Sequence, residues 1–293
     1  PPAKMTVINF SGGVQSTAML LAVIHCRIPL PDNLVVITAD PGMEDPRTYD
    51  HVAKMFELCD DVGITAQVVK ASSSLYEDLI DTTKTGRLDL PPFYVKNADD
   101  SRGRLLQRCT AHYKIAPMNR AVRQHMQSTL GISSATTRIP PDTVEKWIGF
   151  SSEERHRISL PDSTFTRFHF PLWSLNWAKR DCEQFIRECG VTVPPRSVCS
   201  ACPANSAAYY ARLRREEPEA FQRAVNVDNA IRNLTRFGVN QPSYISDSLT
   251  PVAELVAGWL GAELGLAAAG AAGHAGEHLL CHGRCCGFHA VWQ

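Results

Sequence analysis

The sequence predicts an α/β fold in which a doubly wound parallel sheet is followed by a helical, cysteine-containing C-terminal part. Two observations support this fold class. Apolar, β-prone stretches alternate with amphipathic stretches over residues 5–70, which is typical of a parallel sheet covered by helices. A glycine-rich segment at residues 11–17 separates the first two stretches, at the place where such sheets bind ligands.

The elements follow from these patterns in chain order. The predicted strands are residues 5–10, 34–40, 65–70, 146–150 and 168–172, and the predicted helices are residues 16–26, 46–59, 112–126, 177–189 and 205–237, the last interrupted near Pro218. Residues 84–103 and 128–142 are predicted as loops, the first as a loop or lid. From Ser246 the composition shifts to Ala, Gly and Leu, so a main domain is predicted at 1–245 and an Ala/Gly-rich helix with a Cys-rich tail at 246–293.

Composition restricts the function only weakly. The 30 Lys and Arg residues balance the 30 Asp and Glu residues, so a nucleic-acid surface would have to be a local patch. Neither an export signal nor an apolar run of about 18 residues is present, so we expect a cytoplasmic protein with no membrane partner. Ten cysteines in such a chain favour metal or redox chemistry over a disulfide framework.

Residues 11–17, Ser-Gly-Gly-Val-Gln-Ser-Thr, are predicted to bind phosphate. They follow a strand and open a helix, where backbone N–H groups and the helix dipole attract an anion. The alternative is an ordinary glycine-rich turn capped by Ser16. The predicted ligand-binding residues are Ser11, Gly12, Gly13, Gln15, Ser16 and Thr17.

The cysteines suggest a metal site. Cys199 and Cys202 form a Cys-x-x-Cys turn that offers two thiolates to one metal, and Cys109 would supply a third. Zinc or a redox disulfide are the alternatives. The other cysteines outside the C-terminal tail, Cys26, Cys59, Cys182 and Cys189, are predicted to lie in the core.

The phosphate loop lacks the lysine of a Walker A motif and resembles the Ser-Gly-Gly-x-x-Ser loop of the ATP pyrophosphatase (PP-loop) superfamily, whose members adenylate a substrate and release pyrophosphate. Residues 40–49, Asp-Pro-Gly-Met-Glu-Asp-Pro-Arg-Thr-Tyr, resemble a segment of its phosphosulfate reductase branch. This resemblance implies that residues 1–245 bind ATP and that Asp40 lies beside the phosphates, where it would hold Mg²⁺. The alternative is that Asp40 simply begins a turn.

Residues 109–117 and 199–203 resemble the cluster-binding segments of sulfonucleotide reductases. This resemblance implies a [4Fe–4S] cluster on Cys109, Cys199 and Cys202, with Lys114 in the nucleotide cleft. Thr110 stands where the family has another cysteine. The fourth ligand is therefore assigned to Cys285, with Cys281, Cys286 or an open iron as alternatives.

Residues 147–157, 170–172 and 193–206 look like the reductase-like proteins of bacteria and their phages. That resemblance implies that Glu154, Arg155 and Arg157 face the nucleotide, although a solvated loop is equally compatible with the sequence. The ending Cys-Cys-Gly-Phe-His is similar to the tail on which sulfonucleotide reductases carry their nucleophile, and it makes Cys286 a candidate catalytic thiol.

The resemblance implies an ATP pyrophosphatase that adenylates a nucleic-acid oxygen for iron–sulfur-dependent sulfur insertion, with DNA phosphorothioation favoured over tRNA thiolation. A sulfonucleotide reductase using Cys286 and a non-catalytic nucleotide-binding adapter are the alternatives. The expected partners are DNA or tRNA and a cysteine desulfurase or other sulfur donor, and a homo-oligomer is left open. A local basic run contains residues that could contact phosphates or lie on a solvated surface: Arg102, Arg104, Arg108, Lys114, Arg120 and Arg123.

Overall fold

The computed structural model describes residues 3–130, 139–157, 161 and 163–263. The strands are β1 (Met5–Asn9), β2 (Leu34–Asp40), β3 (Thr65–Lys70), β4 (Tyr94–Lys96), β5 (Arg102–Arg104), β6 (Val144–Trp147), β7 (Thr166–His169) and β8 (Ser243–Tyr244). The α-helices are α1 (Val14–Ile24), α2 (Pro46–Asp61), α3 (Leu75–Ile80), α4 (Ala116–Leu130), α5 (Pro171–Ser174), α6 (Lys179–Glu188), α7 (Ala207–Glu216), α8 (Pro218–Ala230) and α9 (Val252–Glu263). A π-helical turn, Ala111–Ile115, precedes α4, and 3₁₀ turns span Ser152–Arg157 and Thr235–Phe237.

The described residues form two compact units. The first falls within Pro1–Ser72 and Ala111–Ser197, and the second within Ser73–Thr110 and Val198–Cys285. Each unit therefore combines segments that are far apart in sequence. The composition shift at Ser246 lies inside the second unit.

A five-stranded sheet is the framework of the first unit. Its order is β3-β2-β1-β6-β7, and all neighbouring strands are parallel. Alternate residues of β1 pack on opposite faces: Ile8 joins a core cluster with α1, α2 and α6, whereas Val7 joins one with α4. Both faces are covered, and the predicted doubly wound α/β fold is confirmed.

The first two strands lead directly into helices whose starts are encoded locally. Gly13 precedes α1 in an extended conformation. Pro46 occupies the first turn of α2, where its missing N–H costs nothing, and the Asp45 carboxylate accepts a hydrogen bond from the Arg47 N–H at 3.0 Å. Because parallel strands end at the same edge, the segments after β1 and β2 meet there.

The second unit contains a smaller sheet with the order β5-β4-β8. Its pairs are antiparallel, and its helices are α3, α7, α8 and α9. The buried Asp228 carboxylate accepts hydrogen bonds from the backbone N–H groups of Ile245 at 3.1 Å and Val252 at 2.9 Å, and it pairs with Arg232 at 2.6 Å. This carboxylate ties α8 to the start of α9.

Four local predictions are wrong in part. The predicted strand at 146–150 is observed at Val144–Trp147, and the predicted helix at 205–237 ends at Ala230. Residues 84–103 are not loop throughout, since they contain β4 and part of β5. The predicted strand at 168–172 ends at His169, because Pro171 opens α5. No helix in the described part of the chain is both long and apolar enough to span a bilayer.

Candidate functional site

The phosphate loop in the first unit turns tightly between β1 and α1. Gly12 has φ of +74°, which favours glycine. A Cβ at Gly12 would lie 2.9 Å from Val52 Cγ2 and 3.1 Å from Thr48 Cγ2 on α2. By contrast, a Cβ at Gly13 would lie 3.5 Å from its nearest neighbour, Ser11 Oγ. The fold therefore requires glycine at position 12, whereas position 13 has room for a small side chain.

Hydroxyl groups hold the loop in shape. Ser16 Oγ donates to the Gly13 carbonyl at 3.1 Å and lies 3.1 Å from Ser11 Oγ. Thr17 is fully buried, and its Oγ1 lies 2.8 Å from His51 Nε2. The Thr17 hydroxyl thus points into the protein, although it was predicted to bind the ligand.

His51 is held neutral beneath the loop. Its burial, reinforced by the positive charge of Lys54, lowers its pKa from 6.5 to about 4. A neutral imidazole has one donor and one acceptor nitrogen, so it pairs with the Thr17 hydroxyl without adding charge. This contact could not be predicted from the sequence, because the two residues lie on different helices.

A second contact holds the first turn of α1 from the 3₁₀ turn that follows β6. The Gln15 amide donates to Glu154 Oε2 at 3.1 Å, and the same carboxylate oxygen accepts the Ser151 N–H at 3.1 Å. A Cβ at Gly149 would lie 3.0 Å from the Ser16 backbone nitrogen. Gly149 was not among the predicted site residues. Because it has no side chain, the chain after β6 can pack directly on the phosphate loop.

A pocket of about 330 Å³ lies at the edge where β1, β2 and β3 end. Its lining combines apolar side chains with two lysines and two carboxylates: Asn9, Phe10, Ser11, Thr38, Ala39, Asp40, Glu44, Thr48, Tyr49, Val52, Val68, Lys70, Lys114 and Met118. Among the residues described, Asn9 Oδ1 and Thr48 Oγ1 are buried atoms of this lining with no hydrogen-bond partner. Since buried polar atoms are normally paired, these two suit a ligand.

The Asp40 carboxylate lies in this pocket and is already engaged. It accepts the Tyr49 hydroxyl at 2.5 Å and the Gly42 N–H at 2.6 Å, and it pairs with Lys70 at 3.0 Å. Burial raises the Asp40 pKa, but the two hydrogen bonds and Lys70 outweigh it and the net pKa is lowered. Asp40 is therefore ionised, but it is not presented as a magnesium ligand.

Lys114 lies in the same pocket. It reaches from the π-helical turn to Glu44, with its Nζ 2.5 Å from Glu44 Oε1. The Glu44 side chain is only 6% exposed, against 29% for Lys114. The lysine thus places a positive charge in the pocket while neutralising a buried carboxylate.

The two arginines that were predicted to face the nucleotide, Arg155 and Arg157, are not part of the pocket lining. Arg155 is exposed, and its guanidinium lies 5.6 Å from the centre of the Trp173 ring, outside the pocket lining. Arg157 is buried instead, where it pairs with Glu154 and lies 4.6 Å from the Phe150 ring centre. The segment 151–157 therefore supports Gln15 through Glu154 and does not line the pocket itself.

Three of the predicted cluster cysteines, Cys109, Cys199 and Cys202, lie in the second unit and are partly exposed. The Cys199–Cys202 turn is closed by a backbone hydrogen bond of 3.0 Å, and the Asn205 amide donates to the Cys199 carbonyl at 2.9 Å. No set of three or more His, Cys, Asp and Glu side chains within the described ranges is arranged to hold a metal ion. Cys109, Cys199 and Cys202 as they stand do not form a ready ligand set.

The remaining cysteines divide into three groups. Burial raises the pKa of Cys59 to about 11 and that of Cys182 to about 12, which fits the predicted core role, and Cys189 is half-buried. Cys26 is exposed, so its assignment to the core is wrong. The tail residues Cys281, Cys285 and Cys286 lie outside the described residues.

Comparisons with known proteins assign neither a family nor a function to this chain. No protein-family model matches the chain, and no curated protein is significantly similar in sequence. Among solved structures, the U34-tRNA thiolase NcsA from Methanococcus maripaludis, seen with its [4Fe-4S] cluster, matches 90% of this chain and 82% of its own. The two are 12% identical with a TM-score of 0.34. A score this low assigns neither family nor function.

Proposed function

We propose that this chain is an ATP pyrophosphatase that transfers AMP to an oxygen of a nucleic acid. One observation carries the proposal: the Ser-Gly-Gly loop opens α1 at the same sheet edge as a pocket that contains Lys70 and Lys114. A helix start and two ammonium groups attract a polyphosphate. The apolar part of the pocket suits a nucleobase.

The size and the lining of the pocket support a nucleotide as its ligand. Its volume of about 330 Å³ lies at the lower end of the usual range for ligand pockets, roughly 300–1,000 Å³. Phe10, Val52, Val68 and Met118 provide apolar surface. Asn9 Oδ1 and Thr48 Oγ1 supply polar atoms for the base or ribose.

In the proposed reaction an oxygen of the acceptor attacks the α-phosphorus of ATP. The bond from that phosphorus to the oxygen bridging the β-phosphate breaks, and pyrophosphate leaves with the electron pair. Lys70, Lys114 and the N–H groups of the loop stabilise the negative charge that grows on the phosphates. Because Asp40 is held by three donors, no step is assigned to Mg²⁺.

Sulfur insertion is the finer part of the proposal. The adenylated oxygen would leave as AMP when a sulfur nucleophile attacks the acceptor atom. Four cysteines are proposed to bind iron or carry sulfur: Cys109, Cys199, Cys202 and Cys285. A cysteine desulfurase or another sulfur donor is the proposed partner. DNA is the favoured acceptor and tRNA the second. Since no ligand set is assembled in the described residues, no step is routed through a cluster.

The test is pyrophosphate release by anaerobically purified protein with DNA, tRNA or adenylyl sulfate. We expect release from ATP that depends on one nucleic acid and is lost in Gly13→Ala. Reduction of adenylyl sulfate without ATP, abolished by Cys286→Ser, would replace the proposal with a reductase. ATP binding without turnover in the presence of every acceptor and a sulfur donor would identify an adapter instead.

A further inference from the structure

We propose that the outer face of the antiparallel sheet in the second unit binds an unpaired strand of nucleic acid. This basic sheet face consists of five strand residues, Tyr94, Lys96, Arg102, Arg104 and Tyr244, together with Arg232, which follows α8 and lies against the Tyr244 ring. The inference deepens the proposed function by giving the acceptor a binding surface.

Side-chain alternation defines the two faces of this sheet. Val95 is 7% exposed and Ser243 is fully buried, so both point inward. Gly103 is paired with Val95, and a Cβ there would lie 2.8 Å from Val95 Cγ2, so the inner face has no room for another side chain. Successive residues of a strand point to opposite faces. Tyr94 and the residues paired with it, Arg104 and Tyr244, therefore point outward.

The strand register brings cations and aromatic rings together on that outer face. Tyr94 pairs with Arg104 on one side and Tyr244 on the other, and Lys96 pairs with Arg102. The guanidinium carbons of Arg102 and Arg104 lie 5.4 and 5.3 Å from the Tyr94 ring centre. Arg232 lies 3.8 Å from the Tyr244 ring centre. Planar groups therefore follow one another across all three strands.

Two exposed acidic groups near this face, Asp100 and Asp247, compete only weakly with phosphate. Lys96 pairs with Asp100 at 2.9 Å and Arg102 with Asp247 at 3.4 Å. All four side chains in these two pairs are at least 46% exposed, and exposed pairs contribute little and are screened by salt. Arg232 is different, because it is paired with the buried Asp228 and serves mainly as a stacking plane.

This combination favours an unpaired strand as the occupant. Unpaired bases stack on tyrosine rings and guanidinium planes, while their phosphates contact lysine and arginine. Bases inside a duplex do not expose their faces. A surface that binds nucleic acid by charge alone would need the cations but not the rings. The tyrosines therefore distinguish binding of an unpaired strand from purely electrostatic binding.

The experiment is fluorescence anisotropy of a labelled single-stranded DNA of about 16 nucleotides, titrated with the full chain without ATP. Tyr94→Leu and Arg104→Ala should each weaken binding about fivefold or more, the loss expected for one stacked base or charged contact. Tyr94→Phe should restore binding because it keeps the ring. Arg215→Ala on α7 is the matched control, since Arg215 is 73% exposed and pairs with Glu216. It should change affinity little.

Unchanged affinity in both Tyr94→Leu and Arg104→Ala, with folding verified by circular dichroism, would overturn the proposal. Equal affinity for duplex of the same sequence, with no effect of Tyr94→Leu, would also overturn it. The same strand made of RNA shows whether the sugar matters. Gly13→Ala should bind the strand normally, so failure of the ATP site and failure of this surface give different results.

Discussion

At the scale of single residues, the loop glycines differ in what they do. Gly12 combines φ of +74° with a Cβ position 2.9 Å from Val52, so Gly12→Ala should lower the free energy of unfolding by about 1–3 kcal/mol. Gly13→Ala meets no close contact in the fold and should leave stability nearly unchanged while weakening ATP binding, because its methyl group would keep phosphate from the backbone. Chemical denaturation and calorimetric ATP titration measure both effects.

Gly63→Ala is the control for backbone strain. Gly63 also has a positive φ, +72°, but its Cβ would meet nothing within 4 Å. It should therefore show a smaller loss of stability than Gly12→Ala and normal ATP affinity. Full ATP affinity in a folded Gly13→Ala protein would show that the loop does not bind phosphate.

His51 makes stability depend on pH in a defined window. Its pKa is about 4 in the folded protein, against a usual 6.5. As pH falls below 6.5 the unfolded chain takes up a proton that the folded protein does not, so the free energy of unfolding decreases until about pH 4. The decrease is at most about 3 kcal/mol.

The measurement is the free energy of unfolding from pH 7 to pH 4 in the native protein and in His51→Gln. Glutamine can still pair with Thr17 but does not titrate, so the difference between the two proteins should shrink or reverse in favour of the variant as pH falls. Carboxylates such as Asp40 affect the free energy of unfolding of both proteins equally, so their contribution cancels in the difference between the two. Parallel pH curves would mean that His51 has the same pKa in the folded and unfolded protein, which would contradict its burial as a neutral ring.

At the scale of elements, Lys114 links the turn before α4 to the segment between β2 and α2. Lys114→Ala removes a pocket charge and also leaves the 6% exposed Glu44 without this cation. We expect weaker ATP binding together with a loss of stability of about 1–3 kcal/mol.

The double variant Lys114→Ala, Glu44→Gln separates these effects. It removes the buried charge and should recover most of the stability but none of the ATP affinity. Recovery of both would show that Lys114 only neutralises Glu44. Loss of stability without any change in ATP affinity would place the polyphosphate elsewhere.

Elements with local signals were predictable from the sequence. The first three strands and two helices lie close to their predicted positions, since apolar periodicity and the Asp45–Pro46 start are encoded within each segment. β4 and β5 were missed because each has three residues, and β4 pairs with β8 about 150 positions later. The Thr17–His51 and Gln15–Glu154 contacts were missed for the same reason: side chains on different elements carry no shared local pattern.

At the scale of the whole molecule, the cysteines test the iron–sulfur proposal. Anaerobically prepared protein should contain about four irons per chain. Cys109→Ser, Cys199→Ser and Cys202→Ser should each lose most of that iron. Cys26→Ser should keep it, because Cys26 is an exposed thiol outside the proposed set.

Iron loss in Cys285→Ser would identify the fourth ligand. Full iron in the three tail variants, Cys281→Ser, Cys285→Ser and Cys286→Ser, would indicate an open iron. Stoichiometric zinc without iron would contradict the cluster altogether. The outcome matters because the described residues hold no assembled ligand set, and cysteine spacing alone cannot show whether distant segments close around a metal.

The division of the chain into two units could not be predicted from the sequence either. Cys109 and the Cys199–Cys202 turn fall in one unit, while Asp40 and Lys114 fall in the other, although Cys109 and Lys114 are five residues apart. The chain passes between units at Thr110 and Ala111, without a proline- or glycine-rich linker. Motif spacing singled out these residues as candidates, but only the fold assigned them to separate units.

The most direct test of the central claim is the identity of the bond broken in ATP. ATP labelled at the α-phosphate should give labelled AMP, free or attached to the nucleic acid, together with pyrophosphate. This product should disappear in Gly13→Ala and persist in Gly63→Ala. Labelled ADP with inorganic phosphate, or undiminished pyrophosphate release by Gly13→Ala, would contradict an ATP pyrophosphatase that acts through the phosphate loop.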